Sequence, residues 1–182
     1  MPYTAPPDLA GLTLEQIAQA VADRRLPPVE QWDPPEQIDS LMRIAADGSW
    51  SHHGTPITRH AMVRAFSSLL LRDGHGQHWL MTPQCRQSIA VEDAPFLAVD
   101  MRVDDGALAF RLNTDEFVIA GPGHPLRAEG DPERPAIYLA VRHGCEARLD
   151  RATWLQLAEY ALAQGEDLTV TSQDARFSLV PQ

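Results

Sequence analysis

Residues 41–58, with the sequence LMRIAADGSWSHHGTPIT, decide the fold class of this chain. Residues 41–46 predict a strand, and Asp47-Gly48 predicts a hairpin turn, because glycine tolerates the positive φ that such turns need. Residues 49–53 would return as a second strand that Gly54-Thr55-Pro56 ends. Thr58 is expected to cap a helix, with Ile57 packed on Met62 as a hydrophobic staple.

A helix and two further strands follow this hairpin in the sequence. Apolar residues recur at three- and four-residue spacing, which is typical of the buried face of a helix. These residues are Ala61, Met62, Ala65, Phe66, Leu69 and Leu70. Asp73-Gly74 should end the helix, and residues 79–82 and 88–91 read as strands around Pro83. The segment Leu41 to Val91 therefore predicts a ββαββ unit.

The same order of elements returns between Ile137 and Val180. Residues 137–141 predict a strand, His143-Gly144 a turn, and residues 145–148 the returning strand. Asp150 is expected to cap a helix, with Leu149 stapled on Trp154, and Gly165 suits the helix end. The expected apolar stripe of this helix is Trp154, Leu155, Ala158, Ala161 and Leu162.

Two strands close this second copy. The sequence from Thr82 to Ile89 aligns with Thr171 to Leu179, given one inserted residue. The sequence thus predicts an α+β fold with duplicated ββαββ units in two domains, each an antiparallel sheet packed by a helix. The expected organisation is an N-terminal helix with Pro-rich ends at 1–28, an α+β domain at 29–93, and a β-rich domain with one helix at 94–182.

The N-terminal helix carries a clear start signal. Thr13-Leu14-Glu15-Gln16 matches a capping box, and Leu12 and Ile17 are spaced for a staple. Leu14, Ile17, Ala18, Val21 and Ala22 would form one apolar face. We expect this helix to dock on the body of the protein, because an isolated helix of this length is marginal in water.

Composition excludes several classes of function. The chain has 182 residues and a net charge of −10 at pH 7, which argues against non-specific binding to nucleic acid or to anionic membranes. All fifteen basic residues are arginines. Cys85 and Cys145 form neither a disulfide framework nor a zinc spacing, which favours a cytoplasmic protein with free thiols. No signal or membrane-spanning pattern and no cofactor motif is evident in the sequence.

Three stretches are candidates for a binding site. Gly54 to Arg59 leads into a helix N-terminus, where free N–H groups and the dipole favour anions. Thr82 to Arg86 is a polar loop between apolar strands, and Asp93 stands at the expected domain junction. Turn chemistry and an Arg86–Asp93 ion pair are the structural alternatives. His52 and His53 suit a general base or a metal ligand, or a surface pair at a strand end.

Several strings together resemble the bacterial DUF1285 family. They are residues 27–32, 43–50, 54–59, 82–83 and 91–96, with the sequences PPVEQW, RIAADGSW, GTPITR, TP and VEDAPF. The resemblance implies a two-domain fold with internal duplication and a C-terminal half superficially like a pleckstrin-homology domain. It also implies a ligand site between the domains, a nucleotide-like ligand and a role in signalling.

These observations lead to one main prediction and two alternatives. The main prediction is a non-catalytic regulatory protein that binds a small anionic, nucleotide-like ligand at the interface of its two domains. The predicted ligand-binding residues are Arg43, His53, Thr55, Arg59, Thr82, Arg86 and Asp93.

The alternatives belong to different classes. One is a hydrolase that uses His53 with Asp93 or Asp100. The other is a pleckstrin-like protein-interaction module, in which the N-terminal helix from Leu14 to Val21 could dock a protein partner.

Overall fold

The chain folds into two compact units in a computed structural model, which describes residues 13–165 and 167–182. The first unit consists of residues 25–96 and 142–146. The second unit holds the remaining described residues, 13–24, 97–141, 147–165 and 167–182. None of the helices in the described part combines the length and apolarity that crossing a bilayer requires.

The first unit is built on a six-stranded sheet with the order β3-β2-β1-β6-β5-β4. Its strands are β1 Glu36–Ile44, β2 Trp50–His52, β3 Thr55–Pro56, β4 Leu70–Arg72, β5 His78–Met81 and β6 Cys85–Val91. Helix α2, His60–Ser67, connects β3 to β4. The predicted turn at Asp47-Gly48 is present, with Gly48 at a φ of 82°. Gly54, expected only to end the strand, has a φ of 77° and forms a second hairpin turn, between β2 and β3.

One pairing in this sheet differs from the antiparallel arrangement that the sequence predicts. β1 and β6 run parallel, and their register shifts between Asp39 and Met42. The other strand pairs of this sheet are antiparallel. Because α2, β4 and β5 intervene between β1 and β6, the chain crosses over before it pairs them, and no local pattern reveals that crossover.

Helix α2 starts later and ends earlier than its apolar stripe predicts. Its N-cap is Arg59, not Thr58. The reason is that Thr55–Pro56 pairs with β2 and the Ile57 N–H donates to the Trp50 carbonyl at 2.8 Å, which keeps the chain extended beyond residue 56. The helix ends at Ser67, so Leu70 is a buried strand residue instead of the last residue of the stripe.

Apolar side chains lie on both faces of the first sheet. Ile44, Leu70 and Ile89 are buried, and Trp50 stacks on Phe66 of α2 with ring centroids 6.3 Å apart. Elsewhere in the unit, Val29, Trp79 and Met81 form a second cluster on which Trp32 and Leu71 pack. Trp32 is therefore a packing residue, as its position between charged residues and prolines predicts.

The second unit contains a second six-stranded sheet, with the order β10-β11-β12-β7-β8-β9. Its strands are β7 Phe96–Asp104, β8 Ala107–Leu112, β9 Phe117–Ile119, β10 Leu126–Asp131, β11 Arg134–Arg142 and β12 Cys145–Leu149. Helix α3, Arg151–Gln164, follows β12 and leads to a two-stranded ribbon of β13 Thr169–Ser172 and β14 Ala175–Ser178.

The two sheets repeat one topology. In each sheet the first three strands of the six form one half and the last three form the other half. The first and sixth strands pair at the centre, β1 with β6 and β7 with β12. The duplication and the α+β class are thus confirmed, but the repeat boundaries differ from those that the sequence suggests. The repeats are 36–91 and 96–149, because β13 and β14 pair only with each other and have no equivalent in the first sheet.

Helix α1, Leu14–Asp23, docks on the second unit as expected. Its capping box is complete, since the Thr13 hydroxyl accepts from the Gln16 N–H and the Gln16 side chain accepts from the Thr13 N–H. Ile17 is fully buried against Ala109, Phe117 and Ile119. Leu12 and the side chains of Leu14 and Val21 lie outside the described residues.

Helix α3 has the predicted cap but a different buried face. The Asp150 carboxylate accepts from the Thr153 N–H at 2.8 Å. Thr153, Leu157 and Ala161 are buried at four-residue spacing, while two members of the predicted stripe, Leu155 and Leu162, are exposed. The error arises because apolar residues occur around much of this helix, so periodicity alone does not select a face.

Candidate functional site

All seven predicted ligand-binding residues lie in the first unit, between residues 43 and 93. Six of them fall into two groups, and the seventh, Asp93, lies in the connection between β6 and β7. Arg43, Thr82 and Arg86 make specific contacts within the unit. His53, Thr55 and Arg59 are exposed around the β2–β3 hairpin and the start of α2.

Arg43 holds together the ends of two neighbouring strands. Its guanidinium donates to the Glu92 carboxylate at 3.0 Å, and the Ala46 N–H donates to the same oxygen at 3.2 Å. These hydrogen bonds, the one from Arg43 first, hold the pKa of Glu92 below its ordinary value. The pair fastens the start of the β1–β2 turn to the end of β6, which is a structural task.

Arg86 is also fixed in place. Its Nε–H donates to the Gln37 side-chain oxygen at 2.9 Å, and its guanidinium lies 4.7 Å from the centre of the Trp79 ring. The structure therefore joins Arg86 to β1 and to an indole on β5, rather than to Asp93 as the ion-pair alternative proposes. Asp93 lies half-buried in the connection between β6 and β7.

Thr82 closes the turn between β5 and β6. Its hydroxyl accepts from the Cys85 N–H at 3.0 Å and donates to the Cys85 carbonyl at 2.9 Å. Because one hydroxyl makes both bonds, its donor is already in use. The Thr82-Pro83 pattern thus marks a turn, and Cys85 beside it is a half-buried free cysteine.

The second group surrounds an exposed hairpin tip. His53 has a φ of 50° in the turn between His52 and Thr55, and its N–H donates to the Leu41 carbonyl at 3.0 Å. The rings of His52 and His53 meet edge to face at 4.9 Å. Their side chains therefore remain accessible while the backbone of the turn is held on β1.

Arg59 occupies the N-cap of α2, where no described side chain makes a capping hydrogen bond. The first turn of α2 contains no acidic residue. A cation at this end of a helix opposes the dipole, which typically costs about 0.3–1 kcal/mol at an exposed position. The arrangement concentrates positive potential at the start of α2.

The charge pattern extends over a longer segment, which we call the cationic segment, residues 48–72. It contains three arginines and three histidines and no aspartate or glutamate, although the whole chain has a net charge of −10. These basic residues are His52, His53, Arg59, His60, Arg64 and Arg72. The segment runs through β2, β3, α2 and β4, so the positive charge follows continuous structure.

Sequence reasoning did not identify the buried polar residues at the tip of the β11–β12 hairpin, which belongs to the first unit. Arg142 donates to the Ser67 carbonyl at 3.1 Å, its guanidinium lies 4.9 Å from the centre of the Phe96 ring, and burial lowers its pKa to about 10. Burial raises the pKa of Cys145 to about 12. Burial therefore disfavours the thiolate of Cys145, which is the form of a cysteine that acts as a nucleophile.

Comparisons with known proteins agree with this architecture. Residues 27–94 match the family model described as "Domain of unknown function (DUF1285), N-terminal domain". Residues 95–179 match "Protein of unknown function (DUF1285), C-terminal domain". The chain belongs to the DUF1285 family.

Two solved DUF1285 structures are similar to this one. A family protein from Silicibacter pomeroyi DSS-3 is 36% identical with a TM-score of 0.76, over 92% of this chain and 94% of that one. A second, from Shewanella baltica OS155, is 24% identical with a TM-score of 0.54, over 66% of this chain and 91% of that one, and it shows the fold alone. The comparison with curated proteins gave no match.

The DUF1285 descriptions name no reaction, so the hydrolase alternative depends on geometry. His53 is bonded at Leu41, whereas the Glu92 N–H beside Asp93 is bonded to the Ile44 carbonyl. Leu41 and Ile44 are three residues apart along β1, which corresponds to roughly 10 Å in an extended strand. His53 lies on the β2 side of β1, and Glu92 and Asp93 follow β6 on its other side. Such a separation does not favour a His53–Asp93 hydrogen bond. Among the residues described, no cluster of three or more His, Cys, Asp or Glu could hold a metal ion.

His78 makes the stability of this DUF1285 protein depend on pH. It lies partly buried on β5, where burial and then the charge of Arg72 lower its pKa from 6.5 to about 4. Its Nε2 is buried, with no hydrogen-bond partner among the described residues. The folded state therefore favours the neutral ring, and this contribution is fully present above pH 6.5 and is lost as the pH falls towards 4.

We expect stability to fall between pH 6.5 and 4 by about 1 kcal/mol from this residue, a figure reduced because the ring is partly solvated. Urea unfolding at several pH values should show that His78→Gln flattens the profile over that interval. His75→Gln, at an exposed position three residues away, is the control for the loss of an imidazole and should flatten the profile less than His78→Gln does. Identical profiles for His78→Gln and the parent protein would contradict the assignment.

Proposed function

We propose that this DUF1285 protein is a non-catalytic regulatory protein that binds a small anionic ligand of the nucleotide class. The ligand contacts that we assign all lie in the cationic segment of the first unit. The observation that carries the proposal is the absence of any carboxylate from residues 48–72 in a strongly acidic chain. Such a segment attracts an anion where the rest of the surface repels one.

The exposed members of the cationic segment provide the contacts. His53, Thr55 and Arg59 are all exposed, and the span from Thr55 to Arg59 is at most roughly 14 Å even if fully extended. The guanidinium of an arginine can donate to two phosphate oxygens at once. A threonine hydroxyl can donate to another oxygen of the same phosphate. An anion beside Arg59 would also offset its unfavourable position against the α2 dipole.

Arg43 and Arg86 are not part of this proposal. Arg43 already bonds Glu92, and Arg86 already bonds Gln37 and lies over Trp79. Recruiting either one would require a ligand to replace contacts that hold β1 in place. This distinction gives a matched pair of arginines for an experiment.

We expect Arg59→Ala to weaken nucleotide binding by about tenfold, as for the loss of one charge-assisted hydrogen bond worth roughly 1.4 kcal/mol. Isothermal titration calorimetry with ATP, a cyclic dinucleotide and inorganic phosphate would measure the dissociation constants of the parent and the variant. A ligand that binds should also raise the melting temperature.

Arg43→Ala is the matched control, because it removes an exposed arginine of the same unit that is bonded to Glu92. Its dissociation constant should stay within about twofold of the parent value. The proposal fails if none of the three probes binds the parent protein. It fails also if both variants lose affinity equally, since a general effect of net charge would then suffice.

A further inference from the structure

β1 is longer than the strand beside it, and this leaves part of its edge open. β2 pairs with β1 only at Met42, Arg43 and Ile44. The other side of β2 pairs with β3. The earlier residues, 36–39, pair on one side with β6 at residues 85–88. Among the described strands, none pairs with their other side. We call this side of residues 36–39 the open edge.

The hydrogen-bonding groups of the open edge can be assigned from the pairing. The Glu36 N–H donates to the Gln84 carbonyl at 3.2 Å, so Glu36 faces the β6 side. Backbone groups alternate between the two sides of a strand, so Ile38 also faces β6 and the groups of Gln37 and Asp39 face outward. The open edge thus presents two N–H groups and two carbonyls for a further strand.

A bulge fixes where the open edge ends. Leu41 has a φ of 56°, its N–H donates to the Asp39 carboxylate at 2.8 Å, and its carbonyl accepts from the His53 N–H at 3.0 Å. The Ser40 hydroxyl donates to the Ser88 carbonyl at 2.7 Å, which anchors the bulge to β6. The β2–β3 hairpin therefore stops at Leu41 and leaves residues 36–39 uncovered.

The surface of the open edge is apolar in part and strongly acidic. Ile38, on the open edge, is 52% exposed, and Leu41, at the bulge that ends it, is 49% exposed. Residues 26–42 contain Glu30, Asp33, Glu36 and Asp39 and no arginine or histidine. The last three of these acids are exposed. The pattern calls for a partner with cationic and apolar side chains.

We propose that the open edge is a protein-interaction site that adds an extended strand from a partner segment rich in Arg or Lys and apolar residues. The partner's main chain bonds Gln37 and Asp39, its apolar side chains cover Ile38 and Leu41, and its cations face Asp33, Glu36 and Asp39. This mode of recognition combines main-chain bonds for affinity with side chains for specificity.

A second copy of this chain fits the open edge less well. Antiparallel pairing of two open edges would bring together the three exposed acids of both copies, against a single neighbouring arginine per copy, Arg86, which is bonded to Gln37. The charge thus selects a basic partner.

The test uses a labelled peptide of alternating arginine and valine, with a glutamate–valine peptide as its charge control. Fluorescence anisotropy should show that the full-length protein binds the arginine peptide at least tenfold more tightly. Gln37→Pro, which removes an outward N–H, should weaken binding at least tenfold. Gln37→Ala loses the same side-chain bond to Arg86 as the proline variant but keeps that N–H, so it is the matched control and should bind the peptide about fivefold more tightly than Gln37→Pro.

A second arm does not depend on whether the proline variant folds. An arginine–valine peptide that is N-methylated at alternate residues cannot form the main-chain bonds on one side, and it should bind the parent protein at least tenfold more weakly. Amide exchange at Gln37 and Asp39 should slow when the unmodified peptide binds. Equal binding of the methylated peptide overturns the proposal, as does a dimer of the parent protein in sedimentation that Gln37→Pro dissociates.

Discussion

Replacing Phe96 by alanine is expected to lower the free energy of unfolding by about 3–5 kcal/mol. Phe96 is fully buried at the start of β7, and its ring lies 4.9 Å from the Arg142 guanidinium. The substitution would remove a large apolar side chain and leave a cavity beside a buried cation. The lost packing and the lost contact between Arg142 and the electron-rich face of the ring both lower the free energy of unfolding.

Urea unfolding followed by circular dichroism would measure the effect, and Phe96→Leu is the control. Leucine keeps much of the volume but not the aromatic face, so we expect it to cost about 1–2 kcal/mol. A loss below about 1.5 kcal/mol for Phe96→Ala would contradict this expectation and show that the site collapses around the smaller side chain.

Local chemistry explains which elements were predictable. The capping box at Thr13, the cap at Asp150 and the turn at His143-Gly144 are each decided by a few adjacent residues. Their hydrogen bonds and φ values depend little on the remainder of the chain. These features therefore appear in the structure where the sequence places them.

Features that depend on distant pairing were not predictable in this way. Thr58 is as good a cap as Thr13 by residue type, but β3 holds the preceding chain extended and moves the N-cap to Arg59. The parallel partner of β1 is β6, more than forty residues later in the sequence. Nothing in the local pattern of either strand specifies that neighbour, and the repeat boundaries depend on it.

The same limit applies to the candidate site. The sequence selects Arg43, Arg59 and Arg86 because an arginine near a turn can bind an anion. It cannot show that Glu92 and Gln37 already bond two of them, because those partners are 49 residues away in each case. Arg59 remains as the candidate, since its neighbours in the acid-free segment provide no carboxylate.

Replacing Gly144 by alanine is expected to lower the free energy of unfolding by about 2–3 kcal/mol. Gly144 has a φ of 75°, and a Cβ at this position would come within 2.6 Å of the Arg72 carbonyl oxygen. The positive φ alone costs an alanine about 1–2 kcal/mol. Because the contact is with backbone, the turn must also move, which would disturb the 2.8 Å hydrogen bond from the Arg72 N–H to the His143 carbonyl.

Gly54→Ala separates these two effects. Gly54 has a similar φ of 77°, but a Cβ there would meet nothing within 4 Å. The free energy of unfolding of Gly54→Ala should therefore fall only by the cost of the positive φ, about 1–2 kcal/mol. The difference between the two variants in urea unfolding measures the close approach of Arg72 to the hairpin tip, and amide exchange at Arg72 should accelerate only in Gly144→Ala. Equal losses with unchanged exchange would mean that the tip accommodates a side chain and that its contact with β4 adds little to stability.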